Sequence, residues 1–137
     1  LVKDLKFIKK LSPEMCGIGP FVPHKDTKFK NENHGDVSLV LMLLSIIRLL
    51  KPNILLPATT ALGTVDPLGR EKGILHGANV VMPNLSPVKH RKDYSLYDNK
   101  ICTGDEAAQC IGCLADRMKK IGYEIVTDRG DYTENYE

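Results

Sequence analysis

The chain has 137 residues, 42% of them hydrophobic and 26% charged, and its 19 basic and 17 acidic side chains leave a net charge of +2. That composition excludes a disordered tail, and the interspersed charges offer no basic stripe to nucleic acid. The longest apolar run, residues 37–50, is broken by Ser38, Ser45 and Arg48 and falls short of the roughly 20 residues of a bilayer span.

The first segment, LVKDLKFIKKLSPEM, places Leu1, Leu5, Ile8 and Leu11 on one helical face with Lys3, Asp4, Lys6, Lys9 and Lys10 turned outward. It has no initiator Met and reads as a helix already under way. Next comes an apolar stretch, MCGIGPFV, then the helix DVSLVLMLLSIIRLLK with Asp36 as its cap. The strand NILLPATT follows. Asp66 and Pro67 then read as N-cap and first residue of a helix that Gly77 can end. After the strand NVVMPN, Ser86 and Pro87 repeat the start signal. Alternating near-continuous apolar strands with helices predicts an α/β fold with parallel strands at residues 17–21, 54–58 and 80–83. Three such strands cannot close a barrel, which takes about 250 residues, so the expectation is a C-terminal part of a larger α/β protein.

Ligands in parallel α/β folds meet the C-terminal ends of the strands. Thr59 and Thr60 stand there as adjacent hydroxyls leaving an apolar strand. They suit a polar ligand, while the plainer reading has one capping a turn and the other filling the core. His24 follows Pro23 and could bond backbone or cap its loop, with no partner at metal-ligand spacing. Met15 and Met82 would ordinarily be core filler, and only their place in or beside strands makes them candidates.

The stretch ICTGDEAAQCIGC holds Cys102, Cys110 and Cys113 in a C-x7-C-x2-C pattern. Thr103 or Asp105 can cap a helix running to Gly122, which puts Cys110 and Cys113 three apart on one face. Three thiolates suit an iron–sulfur cluster with an open fourth position, whereas structural zinc wants four ligands. A thioredoxin-like pair would sit at a strand-to-helix turn rather than inside a helix. Three unligated, buried thiols stay open as the plainer alternative, and Cys16 is assigned to the core.

The stretches GIGPFVPHKDT, PATTALGTVDPLGREKGILHGANVVMPNLSPVKHRKDYSLY and NKICTGDEAAQCIGCL resemble the C-terminal part of the FeFe-hydrogenase maturases of the biotin synthase-like radical S-adenosylmethionine family. The resemblance covers about residues 5–126; biotin synthase and methylornithine synthase share the architecture. It implies that the strands are the last three βα units of a (β/α)8 TIM-type barrel spanning residues 1–100, followed by a cysteine-bearing segment over 101–137. It also implies a cavity lined by Thr59, Thr60, Met15 and Met82, with Tyr94 and Tyr97 three apart on a short helix closing its mouth. Family members with the C-x7-C-x2-C pattern bind a second iron–sulfur cluster there, here at Cys102, Cys110 and Cys113, near the surface.

The implied cofactors of the full-length enzyme are S-adenosylmethionine and a 4Fe-4S cluster on a CxxxCxxC motif, and no such motif occurs in residues 1–137. Lys28 stands where relatives usually have proline. The chain alone is expected to be inactive, its catalytic residues unassigned. The implied substrate is a small organometallic iron–cysteine precursor, with other hydrogenase maturation proteins as partners, no nucleic acid or membrane, and a cytoplasmic location. Two rivals stay open: a biotin synthase-like or methylornithine synthase-like enzyme acting on an organic substrate, and a non-enzymatic metal-binding module whose cysteine helix is its only functional part.

Overall fold

The computed structural model describes residues 1–94, 96–101, 107–126 and 129–133. Helix α1 spans Val2–Leu11 and ends at Ser12, whose left-handed backbone turns its N–H onto the Ile8 carbonyl. Of the four residues expected on its apolar face, Leu5 and Ile8 pack against the core, whereas Leu1 and Leu11 stay exposed. Helix α2, Val37–Leu50, is capped as expected: Asp36 accepts the Ser38 N–H at 2.8 Å. It buries Val40, Leu41, Leu44 and Ile47, positions at helical spacing that make one apolar stripe. Pro52 cannot extend it.

Strand β1, Pro57–Ala58, pairs in parallel with β2, Val80–Val81, matching Pro57 to Val80. On the other side of β1, Met15 and Leu55 form a parallel bridge, with the Cys16 N–H on the Leu55 carbonyl and the Leu55 N–H on that of Glu14. Two of the three expected strands are therefore parallel neighbours, each shorter than expected. Residues 17–21 form no strand, and the first segment meets the sheet only through the bridge at Met15. The reason is local. Prolines at 20, 57 and 83 have no N–H to give a ladder, and Gly17 and Gly19 add no side-chain packing. A side chain supplies part of what is missing: Asn79 Oδ1 accepts the Leu56 N–H at 2.8 Å, while the Leu56 carbonyl accepts from Asn79 and Val80.

Between β1 and β2 run two short helices, α3 (Thr60–Val65) and α4 (Gly69–Leu75). The sequence predicts the next helix only from Asp66, so α3 is an addition to it. Asp66 instead organises the turn before α4, accepting the Leu68 N–H on its carboxylate and the Gly69 N–H on its carbonyl. Gly77 does end α4. Its φ of +102° allows a Schellman closure, with the Gly77 N–H on the Ile74 carbonyl and the Ala78 N–H on that of Gly73. The Arg48 guanidinium reaches the Gly77 carbonyl at 2.8 Å and locks this turn to α2.

Ile54, Leu56 and Ala58 point from the sheet into the same core as the α2 stripe, Leu62 and Ile74. A 3₁₀ helix follows at Val88–Tyr94, and α5 covers Ala107–Lys120. Leu114 and Met118 are buried, and Met118 joins the main core. Gly122, with φ of +82°, closes α5 as expected by a second Schellman pair onto Met118 and Lys119. Thr103 and Asp105, the expected caps of this helix, lie outside the described residues.

Candidate functional site

The C-terminal ends of β1 and β2 carry Thr59, Thr60 and Met82. Thr59 is the N-cap of α3, its Oγ1 accepting the Leu62 N–H at 3.3 Å. The backbone of Gly19 lies against that hydroxyl: a Cβ on Gly19 would come within 2.7 Å of Thr59 Oγ1. Thr59 thus takes the capping role that the plainer reading foresaw, and it also touches the segment after the first strand.

Thr60, the first residue of α3, lines a cavity of about 170 Å³ together with Arg70, Met82, Pro83, Asn84, Lys100 and Ile101. The structure therefore brings Thr60 and Met82 to one place. Arg70 is 2% exposed and Met82 is half-exposed. Among the described residues the lining holds two cations and no carboxylate, alongside a hydroxyl and a carboxamide. That combination favours an anionic or hydrogen-bond-accepting group. Its volume is below the roughly 300 Å³ at which pockets for drug-sized ligands begin, so it fits one small polar group rather than a whole nucleoside.

The walls are held by bonds that the sequence does not announce. Thr64 donates its hydroxyl to the Thr60 carbonyl at 3.0 Å and accepts the Ile101 N–H at 3.4 Å. Arg91, 2% exposed, donates to the carbonyls of Ser86 at 2.8 Å and Asn84 at 3.1 Å, which pins the loop after β2. Arg70, Asn84, Lys100 and Arg91 were all missed from sequence. The one available signal was at Arg70, which stands four residues before Ile74 and so shares its helical face.

The other candidates lie elsewhere. Met15 lines a separate, mostly apolar groove of about 480 Å³ with Leu55, Val80, Val81 and the chain around Tyr123–Val126. Tyr94 ends the 3₁₀ helix and is exposed, and Tyr97 lies beyond it, so the two do not share one helix face. His24 accepts the Asp26 N–H on Nδ1 at 3.1 Å, a role inside its own loop.

Cys16 packs against the core, where burial pushes its thiol pKa up, as suits a core thiol. Cys113 is exposed on α5, three residues after Cys110 on the same helix. Cys102 and the side chain of Cys110 lie outside what the structure describes. Among the described residues no three His, Cys, Asp or Glu side chains gather at a metal-binding spacing. Cys16 and Cys113 do not make a radical cluster site, so the described residues do not fit the S-adenosylmethionine cluster.

Helix α5 is tied to α4 by Arg117, whose Nε and Nη2 grip the Glu71 carboxylate at 2.5 and 2.6 Å while Nη2 also reaches the Pro67 carbonyl. Burial alone would raise the Glu71 pKa, but the Arg117 bond and charge, with Arg70 nearby, hold it below the usual carboxylate range. The bond from Lys72 at 2.6 Å, with the Leu68 N–H, likewise holds Asp66 low.

No protein-family model matches the chain. It is 44% identical over 130 residues to the FeFe hydrogenase maturase subunit HydE of Thermotoga maritima, covering 95% of this chain and 37% of that protein. It is 25% identical over 127 residues to 3-methylornithine synthase of Methanosarcina acetivorans, covering 90% of this chain and 34% of that protein. The chain spans little more than a third of the length of these curated relatives. These matches, with parallel strands joined through helices, liken the chain to a part of a radical S-adenosylmethionine family protein. Within that class, the sequence corresponds to the C-terminal part of HydE. Among the described residues, no helix is long and apolar enough to cross a membrane.

Proposed function

We infer that this chain supplies the C-terminal wall of a HydE-type maturase, with residues 1–100 contributing the last three βα units of its barrel and 101–137 its cysteine segment. The observation that carries the reading is the meeting of Thr60 and Met82 in one small polar cavity at the strand ends, within a chain 44% identical to HydE. The whole enzyme acts on a small iron–cysteine precursor of the hydrogenase cluster, in the cytoplasm and beside other maturation proteins. Its S-adenosylmethionine and 4Fe-4S cluster supply the radical from the part of the protein that carries CxxxCxxC. This chain's own contribution is binding. Thr60, Asn84, Arg70 and Lys100 receive the precursor's acceptor groups, and the Met82 thioether lines the same wall without offering an acidic proton. Thiolates at Cys102, Cys110 and Cys113 hold the second iron–sulfur cluster, with the exposure of Cys113 suiting that role.

The test is Thr60→Val in the full-length enzyme, which keeps the shape and removes the hydroxyl. Losing that bond weakens precursor binding or turnover by about 1–3 kcal/mol, roughly 5- to 150-fold. Unchanged maturation activity in Thr60→Val, alone and combined with Thr59→Val, would remove the substrate-contact role and favour the metal-binding module. Activity on an amino-acid substrate in place of the iron precursor would favour the methylornithine synthase-like reading.

A further inference from the structure

Residues 96–101 run between two parts of the molecule that are far apart in sequence. At their inner end, Lys100 and Ile101 line the Thr60–Met82 cavity, and the Ile101 N–H is held by Thr64 of α3. The Ile101 side chain packs over Gly63, where an added Cβ would lie 2.9 Å from its Cδ1. The Lys100 ammonium donates to the Tyr94 carbonyl at 3.2 Å, which folds the segment back on the 3₁₀ helix. Asn99 takes φ of +56°, the left-handed turn that asparagine tolerates, and so makes that fold possible. At the outer end stands Asp98. Its carboxylate Oδ2 accepts the Lys25 N–H at 2.8 Å, and its own N–H donates to the Pro23 carbonyl at 3.1 Å. These two bonds join residue 98 to the loop that follows the first strand segment, across 73 positions of sequence.

We propose that residues 96–101 are a strap forming one wall of the cavity, and that Asp98 is the positioning residue that latches this strap to the Pro23–Lys25 loop. A carboxylate accepting a backbone N–H makes a charge-assisted bond, stronger than the neutral bond from the Ile101 N–H to Thr64 that holds the strap's inner end. It is formed on an exposed face and so can open without unfolding the core. Opening frees the outer side of the strap, and the cavity wall at Lys100 loosens with it. The latch is a statement about this chain's geometry. Its consequence for substrate access rests on the cavity being the substrate site, a reading tested separately by Thr60→Val.

The experiment is amide hydrogen exchange on the 137-residue chain, comparing wild type with Asp98→Ala and Asp98→Asn, together with the rate of Lys100 acylation by acetic anhydride. Asp98→Ala is expected to speed exchange at the Lys25 N–H about tenfold and to raise Lys100 reactivity, as fits the loss of a bond to a charged acceptor. Asp98→Asn keeps an acceptor oxygen and is expected to retain most of the protection. The Leu55 and Leu56 amides, held by Glu14 and Asn79, report on the core and are expected to stay unchanged in both variants. Three results would each overturn the latch: Lys25 and Lys100 rates in Asp98→Ala equal to wild type, Asp98→Asn as fast as Asp98→Ala, or core amides accelerating in step with Lys25.

Discussion

Replacing Arg117 by Met isolates the tie between α5 and the rest of the fold, because methionine keeps much of the apolar stem and removes the charge. In the native chain the Glu71 side chain is 9% exposed and that of Arg117 is 23% exposed, and two short bonds link them. Removing one partner of a fully buried pair costs about 3–5 kcal/mol because a charge is left buried alone. The partly wet Arg117 end lowers this to about 2–3 kcal/mol, and for a chain of this size the melting temperature falls by about 8–12 °C.

The pH dependence carries the sharper signature. Glu71 titrates below its ordinary value of about 4.3 in the folded chain, so the unfolded chain binds more protons between the two pKa values. The pair's contribution is therefore full above about pH 5 and is lost as pH falls through the folded pKa. Without Arg117, burial dominates and raises the Glu71 pKa, so the variant's deficit shrinks as the solution is acidified. The assay is urea unfolding followed by circular dichroism from pH 7 to 3.5, on wild type, Arg117→Met, Glu71→Gln and the double variant. A coupling of about 1–3 kcal/mol is expected at pH 7. A deficit that stays constant across this range, or a coupling near zero, would refute the claim that a partly buried ion pair docks α5.

Two further outcomes are expected. Gly19→Ala should cost about 1 kcal/mol by pushing the Thr59 hydroxyl off its cap, whereas Gly17→Ala, with open space around it, should melt like wild type; equal melting of both variants would contradict the close approach. Anaerobic reconstitution with iron and sulfide should give thiolate-to-iron absorption that is lost when Cys102, Cys110 and Cys113 are all serine and kept in Cys16→Ser, since the half-buried Cys16 thiol resists ionisation; a full iron complement in the triple variant would make these thiols structural.

Local chemistry made much of the fold readable from sequence alone. Asp36 before an apolar run, and Gly77 and Gly122 after helical ones, act within a single turn, so their roles need no distant partner. The alternation of apolar strands and helices likewise predicted the parallel pairing of β1 with β2, because period and composition are properties of short windows, although the strand expected at residues 17–21 did not form. Extent was harder to read. Prolines 20, 57 and 83 shortened the ladder, and α3 formed from TALGTV because Thr59 capped it and Leu62 found a core to fill. The site shows the same division. Thr60 and Met82 were legible because strand ends converge in any parallel sheet. Met15 was not separable from them by sequence, since a strand's residues all look alike until pairing decides which end of the sheet each reaches. Arg70, Lys100, Arg91 and Asp98 became visible only in the folded chain. A cation that lines a cavity and a carboxylate that latches a loop differ from their solvated counterparts in what stands across from them, and those neighbours lie tens of residues away in sequence.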